Sequence, residues 1–163
     1  MLTRTSGLTL SLSLLAAVAL ALTATDAAAA NLHFVGRPTA NLDGTTLVVS
    51  GKVAGLGNQD ITVTVEVDGE VVVFCINPGG NEPPGQNKEP FTAVESQTFV
   101  PSAKNGQFTF SIDVDLAEAI QAAVDAHECP NENWEKEAGD VTLDSATVTV
   151  QQGGRTITRT INL

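Results

Sequence analysis

The stretch ITVTVEVDGEVVVFCI, residues 61–76, alternates apolar and polar side chains on both sides of an Asp68-Gly69 pair. Alternation with a period of two is typical of a β-strand with one buried face. An Asp-Gly pair between two such runs predicts a two-residue hairpin turn. Pairing outward from this turn sets Val65 opposite Val72 and predicts one coherent core face. In that register Cys75 lies off the main apolar face, near the end of the second strand.

Two more glycine-containing pairs, Asn105-Gly106 and Gly153-Gly154, predict hairpins further along the chain. Each sets apolar side chains opposite one another, although Arg159 then falls on the apolar face of the last hairpin. The main predicted pairs are Phe99 with Ile112, Val150 with Ile157, and Ala146 with Ile161.

One segment follows a helical period instead. Apolar side chains from Leu116 to His127 recur at spacings of three and four, and Cys129-Pro130 stops the pattern. Asp115 and Glu118 occupy the positions of an acidic capping box, which predicts that the helix begins there.

Short alternating strands dominate the rest, including one at 47–53 and a possible eighth at 32–35. This organisation predicts an all-β fold: an antiparallel immunoglobulin-like β-sandwich of seven to eight strands with one short α-helix and one disulfide. The general architecture resembles that of small exported bacterial β-domains, and no motif assigns the chain to a family.

The N-terminal thirty residues have the layout of a secretory signal peptide. Arg4 precedes an apolar run at 8–22, and a small-residue tail ends at Ala30. The run is short and diluted for a membrane span. We therefore expect a signal peptide at 1–30, a single domain at 31–163, and a secreted or periplasmic protein.

Cys75 and Cys129 are the two cysteines of the chain, and an exported protein is expected to join them in a disulfide. The formal net charge is −11. Nucleic acid and anionic lipid are poor partners for such a surface, because binding them requires cationic side chains.

Two loops flank the cysteines, at 77–87 and 130–134, and the disulfide would bring them together. Their amides and the single tryptophan of the chain suit a glycan or a cell-surface protein, with the indole stacking on a sugar ring. The alternatives are that the Asn and Gly residues serve only turns and that the tryptophan packs into the core. The candidate ligand-binding residues are Asn81, Gln86, Asn87, Asn131, Asn133 and Trp134.

We therefore expect an exported, non-catalytic binding module. An alternative is a structural or assembly subunit that joins partners by its strand edges, since the apolar stretch at 31–35 could add to a neighbouring sheet.

Neither an enzyme nor a cofactor is expected. His33 and His127 have no nucleophile placed beside them by the sequence, and no Ser stands in a nucleophile-elbow context. Zinc is disfavoured because both cysteines are committed to the disulfide, so no metal site is predicted. A weak calcium site among acidic residues such as Asp113, Asp115 and Glu132 stays open.

Overall fold

The computed structural model describes residues 31–82, 87–100 and 106–163. The predicted signal peptide, Gln86 and Asn105 lie outside these residues. The described part contains eight strands and one helix. They are β1 (His33–Phe34), β2 (Thr39–Asp43), β3 (Thr46–Ala54), β4 (Ile61–Ile76), β5 (Asn87–Phe99), β6 (Gln107–Asp115), α1 (Ala117–Ala126), β7 (Glu135–Gln152) and β8 (Arg155–Asn162).

The strands form two antiparallel sheets. In sheet A, β3 pairs with β1, β2 and β6, and in sheet B the strand order is β5-β4-β7-β8. Buried side chains from both sheets and from α1 make one hydrophobic cluster. The predicted all-β, sandwich-like fold is confirmed, and the immunoglobulin-like type stays a prediction.

The hairpin predicted at Asp68-Gly69 is wrong. β4 is one strand of 16 residues that runs through both positions and pairs along its whole length with β5 and β7. Gly69 does not adopt the positive φ that a type I′ turn requires. Instead, the pairing of β4 with β7 shifts register between Asp68 and Gly69, as at a β-bulge.

Continuity of β4 also corrects the predicted position of Cys75. Alternate positions from Ile61 to Cys75 are all buried, so Cys75 shares the core-facing side of the strand with Val71 and Val73. The even positions that the hairpin register assigned to the core are mostly less buried; Phe74 is an example. A period of two that is unbroken across Asp68-Gly69 therefore describes the strand better than the local turn signal does.

The hairpin predicted at Asn105-Gly106 is also wrong. β5 belongs to sheet B and β6 to sheet A, so the chain crosses between the sheets here. Phe99 pairs with Ile61 and not with Ile112. Phe99 instead meets Phe108 of β6 across the core, with ring centroids 4.9 Å apart. Two apolar faces that pack together from opposite sheets give the same local pattern as two faces paired in one sheet.

The Gly153-Gly154 hairpin is confirmed. Both glycines have positive φ, and Val150 pairs with Ile157 as predicted. Ala146 likewise pairs with Ile161. Arg159 pairs with Val148 and resolves its conflict with the core by placing its guanidinium 6.0 Å from the centre of the Phe34 ring, a cation–π contact at the sheet edge.

The helix α1 is confirmed, with its start one residue later than predicted. Leu116 is the N-cap residue, and Asp115 supports it because its Oδ1 accepts a hydrogen bond from the backbone N–H of Ala117 at 2.9 Å. The helix buries Ala123 and Val124 and contacts β4, β5 and β7. It is too short to span a membrane, and it is the only helix in the described part of the chain.

Sheet B is therefore covered by two different layers. In what we call the sandwich half, residues 61–67 of β4 and 145–152 of β7 face sheet A. What we call the helix half consists of residues 69–76 of β4, 87–92 of β5 and 135–143 of β7. Here the segment from α1 to Cys129 meets sheet B through the disulfide, the His127–Glu89 contact and the hydrogen bond from Lys136 to Asp125. The register shift at Asp68 and Gly69 marks the border.

The predicted disulfide is confirmed and lies in the helix half. Cys75 of β4 is bonded to Cys129, which follows α1, with Cα atoms 5.8 Å apart. It closes a sequence separation of 54 residues. The end of α1 is thereby tied to the end of β4.

The N-terminal stretch forms part of the domain's own sheet. Leu32 is buried, and His33 and Phe34 pair with Ala54 and Val53 of β3. The strand that suggested donation to a neighbour is thus already paired within the chain.

Candidate binding cleft at the disulfide end

Strand pairing determines where the two candidate loops emerge. Ile76, the last residue of β4, pairs with Glu135, the first residue of β7. The loop at 77–82 leaves from one of these residues and the loop at 130–134 leads into the other. Both loops therefore emerge at the same end of neighbouring strands, beside the disulfide.

The first loop uses its leading amide to build a turn. Asn77 Oδ1 accepts hydrogen bonds from the backbone N–H groups of Gly79 at 2.9 Å and Asn81 at 3.1 Å. A side chain that mimics a backbone turn in this way fixes the loop. The alternative that the asparagines serve turns is thus correct for Asn77, while the side chain of Asn81 remains exposed.

Asn87 is the next candidate residue along the chain that the structure describes. Asn87 is exposed and begins β5, where it pairs with Val73. Its neighbour Lys88 donates to Glu70 Oε2 at 2.9 Å. This hydrogen bond, together with the negative charge of Glu70, raises the pKa of Lys88 above its ordinary value.

The second loop holds Trp134 in place through its backbone. Asn131 Oδ1 accepts a hydrogen bond from the N–H of Asn133 at 3.0 Å, and the Asn131 carbonyl accepts one from the N–H of Trp134, also at 3.0 Å. The amide of Asn131 is therefore partly used in a turn, and the side chain of Asn133 is exposed. These two hydrogen bonds within four residues restrict the backbone of Trp134, which carries the indole.

Trp134 is half-buried and lines a cleft of about 480 Å³. The cleft lies between the C-terminal end of α1 and the start of β7. Lys136 crosses it by donating from Nζ to the carbonyl oxygen of Asp125 at 2.6 Å. The lining residues are Asp125, Ala126, His127, Glu128, Cys129, Asn131, Glu132, Trp134 and Lys136.

Carboxylates outnumber cations in this cleft. Asp125, Glu128 and Glu132 line it together with one ammonium, that of Lys136, which already has a backbone carbonyl as partner. A negative potential disfavours anionic ligands. The chemistry of the lining suits a neutral ligand that both donates and accepts hydrogen bonds and offers an apolar face to the indole.

Two of the ligand-binding residues predicted from the sequence, Asn131 and Trp134, line this cleft. Most of the other lining residues are not predicted to bind a ligand. Asp125, Glu128, Glu132 and Lys136 carry no motif, and their common position follows from the way in which α1 is tied to the end of sheet B. Of the predicted ligand-binding residues, Asn81, Asn87 and Asn133 do not line the cleft. Gln86 lies outside the described residues.

A partly buried polar pair lies at the wall of the cleft. The side chain of His127 is 9% exposed, and its Nδ1 is 2.7 Å from Oε1 of Glu89 on β5. Nε2 of the same ring is buried and has no hydrogen-bond partner among the described residues. The only sequence signal for this residue was its place at the end of the apolar helix stripe, and Glu89 lies 38 positions away.

Within residues 31–82, 87–100 and 106–163, the acidic side chains considered for calcium form no group of three close enough to share an ion. The group that does come together is Cys75, His127 and Cys129. One potential ligand atom from each lies within 4.8 Å of the others. In the structure both sulfurs belong to the disulfide.

No family model and no curated protein matches the chain. Among solved structures, it is similar to part of a β-glucosidase, DesR, from Streptomyces venezuelae, whose crystal structure was determined in complex with D-glucose. That similarity has a TM-score of 0.33 and 15% identity, and it covers 82% of this chain and 15% of the β-glucosidase chain. A likeness this low carries no conclusion about fold type or function.

Proposed function

We propose that the protein is an exported, non-catalytic binding module that holds a neutral polyhydroxyl ligand, such as a glycan, in the cleft beside Trp134. The observation that carries this proposal is the position of the indole. It is half-buried at the wall of a cleft, on a turn that two hydrogen bonds fix.

The surroundings of the indole support a neutral ligand. A fixed aromatic ring loses little conformational entropy on binding, and polar groups on the opposite walls set the orientation of the ligand. The carboxylates of Asp125, Glu128 and Glu132 accept hydrogen bonds from hydroxyl groups and discourage anions. The disulfide is compatible with an oxidising compartment, which supports the export part of the proposal.

Fluorescence of the oxidised protein tests the proposal, because Trp134 is its single tryptophan and it has no tyrosine. We expect a saturable change in emission on titration with one member of a panel of neutral oligosaccharides. Calorimetry then compares variants that lack the reporter. Trp134→Ala should weaken binding about 30-fold, close to 2 kcal/mol, as removal of a central aromatic contact does.

Trp134→Phe is the matched control because it keeps a flat ring on the same turn, and it should retain most of the affinity. If Trp134→Ala and the native protein bind the same ligand equally, the ligand lies elsewhere. If no oligosaccharide binds and Trp134→Ala mainly lowers the melting temperature, the indole serves packing and the proposed function is wrong.

The second candidate function is assembly through strand edges. Because the N-terminal strand is already paired with β3, the strand that supports this candidate is β5. This strand ends the order of sheet B. Val94 of this strand is 57% exposed, and Val100, just beyond the strand, is 80% exposed. An exposed strand edge with apolar side chains can pair with another chain.

Sedimentation of the oxidised protein tests this second candidate. Assembly through β5 predicts a concentration-dependent dimer that Val94→Lys dissolves, because a charge on the edge opposes pairing. Thr142→Lys, at an exposed position of β7, which lies inside the order of sheet B and not at its end, is the matched control for added charge and should leave the dimer intact. A monomer at all concentrations removes this candidate.

A further inference from the structure

The cluster of Cys75, His127 and Cys129 carries an inference beyond ligand binding in the cleft. Two sulfurs and one imidazole nitrogen are the ligand types of Cys/His zinc sites. Their ligand atoms already lie within 4.8 Å of one another. Zinc bonds of about 2.0–2.3 Å place the ligand atoms of a tetrahedral site about 3.3–3.8 Å apart. Binding one ion therefore requires the two bonded sulfurs to separate and the more distant atoms to move closer together.

The histidine is oriented as a metal ligand usually is. Nδ1 of His127 is held by Glu89 at 2.7 Å, which leaves Nε2 as the nitrogen with a lone pair to offer when Nδ1 carries the proton. A carboxylate on the far nitrogen is the common outer-shell arrangement of metal-binding histidines, where it fixes the ring and raises its basicity.

Nε2 is also a buried polar atom without a partner among the described residues. Leaving such an atom unsatisfied is unfavourable, and native proteins rarely do so without a reason. A metal ion bound to this nitrogen would satisfy it. His127 and Cys129 line the cleft, so solvent from the cleft could fill a fourth coordination position.

From these observations we propose that the disulfide corner becomes a zinc site when the disulfide is reduced, with Cys75, Cys129 and His127 as ligands and Glu89 as the residue that positions the imidazole. The proposal does not require glycan binding, since it uses neither Trp134 nor the carboxylates of the cleft, although His127 and Cys129 line the same cleft. It makes the corner a redox-controlled site for a thiophilic divalent cation.

The reaction balances without oxidation or reduction of the metal. A dithiol reductant gives two electrons to the Cys75–Cys129 bond, which breaks, and the reductant becomes a disulfide while each sulfur takes a proton. Zn²⁺ then binds both sulfurs as thiolates, and two protons are released to solvent. A disulfide oxidant reverses the process: it takes two electrons from the thiolates and two protons from solvent and becomes a dithiol, while the Cys75–Cys129 bond forms again and Zn²⁺ is released.

Cobalt is the probe, because Co²⁺ in a tetrahedral site with thiolate ligands has strong near-ultraviolet and visible absorption bands. We expect the protein reduced with a non-chelating phosphine, and freed of it, to develop these bands with one Co²⁺ per chain, and Zn²⁺ to displace the cobalt. The oxidised protein should show none of them. Bands in the oxidised protein, or their absence in the reduced protein that retains its β-sheet circular dichroism, would overturn the proposal.

Two variants test the roles of the nitrogen and its carboxylate. Glu89→Gln should weaken Co²⁺ binding by about 10–100-fold, the usual effect of losing an outer-shell partner. His127→Ala should weaken it more and shift the visible bands, because a nitrogen ligand is lost. His33→Ala, at an exposed histidine whose Nδ1 contacts the Asn31 carbonyl, is the matched control and should bind as the native protein does.

Reduction could also unfold the chain, and the proposal then makes a different measurable claim. Metal binding couples to folding, so Zn²⁺ should restore the circular dichroism of the reduced native protein and not that of His127→Ala. If the native protein and His127→Ala bind Co²⁺ with the same affinity and spectrum, or if Zn²⁺ fails to refold an unfolded reduced chain, the proposed site does not exist.

Discussion

The two halves of sheet B are stabilised in different ways. In the sandwich half, Ile61, Val63 and Val65 are completely buried beneath a second sheet. In the helix half the covering layer is a single helix of 10 residues, in which Ala123 and Val124 are the buried side chains. The disulfide supplies a covalent tie at the end of that half.

Their polar groups differ as well. The exposed face of the sandwich half carries hydroxyl pairs across neighbouring strands, such as Thr64 with Ser96 at 2.9 Å and Thr149 with Thr158 at 3.2 Å. The helix half instead holds a buried imidazole paired with a partly buried carboxylate, and an open cleft. A region with a thinner apolar layer has room for polar groups, and this is where we place the functional chemistry.

The largest effect should come from removing the covalent tie. Replacing both cysteines, Cys75→Ser with Cys129→Ser, should lower the free energy of unfolding by about 4 kcal/mol, the value expected for a loop of this length. Denaturant titration measures the loss, and hydrogen exchange locates it. Exchange should accelerate more in α1 than at 61–67 of β4, and equal acceleration in both halves would contradict the difference between them.

Adding a methyl group at the border should have the next largest effect. A Cβ on Gly69 would lie 2.5 Å from the carbonyl oxygen of Thr142 and 2.8 Å from the Phe91 ring. Gly69→Ala should therefore destabilise the protein by up to about 3 kcal/mol through overpacking. Gly79→Ala, where the new atom meets only asparagine side-chain atoms at 3.1 Å or more, is the control and should change the melting temperature little.

A matched pair of core substitutions compares the packing of the two halves directly. Val65 and Val73 lie on the same face of β4, and both are completely buried. Each change to alanine removes two buried methyl groups and should lower the free energy of unfolding by about 2 kcal/mol. Val65→Ala should cost about 1 kcal/mol more, because a cavity between two sheets collapses less readily than one beneath a single helix.

Denaturant titration of the two variants tests this expectation. A larger loss of stability for Val73→Ala would mean that the helix half is the more tightly packed.

The smallest effect should come from the hydroxyl pairs. Thr64→Ala removes the contact with Ser96 on the exposed face of the sandwich half, and cross-strand pairs of this kind contribute about 0.2–1 kcal/mol. A double-mutant cycle with Ser96→Ala isolates the pair from the β-propensity of threonine. A coupling energy indistinguishable from zero would show that these hydroxyls are satisfied equally well by water.

In the sandwich half, the sequence predicts the strands better than it predicts the turns and strand pairings that connect them. Alternation identifies β3, β4 and β7, and the Gly153-Gly154 hairpin has the predicted register. Turn signals alone fail at Asp68-Gly69, because the buried positions keep one period of two through the pair. They fail after Phe99 because a local pattern does not distinguish strands paired in one sheet from strands facing each other across a core.

In the helix half, the sequence predicts the individual elements but not the contacts between them. The helix and the disulfide follow from a helical period and from the number of cysteines. Neither indicates that Glu89 meets His127, because that contact depends on how α1 lies on β5. The wall of the cleft formed by Asp125 and Lys136 is hidden for the same reason. Contacts between side chains far apart in sequence require the packed structure.

The most direct test of the account is to map the ligand site by NMR on the oxidised, ¹⁵N-labelled protein, using the oligosaccharide selected by fluorescence. We predict that the largest amide shift changes fall in the helix half, between Asp125 and Lys136, and that amides of the sandwich half change little. Changes concentrated on the threonine-rich face or along β5 would contradict the assignment of function to the cleft.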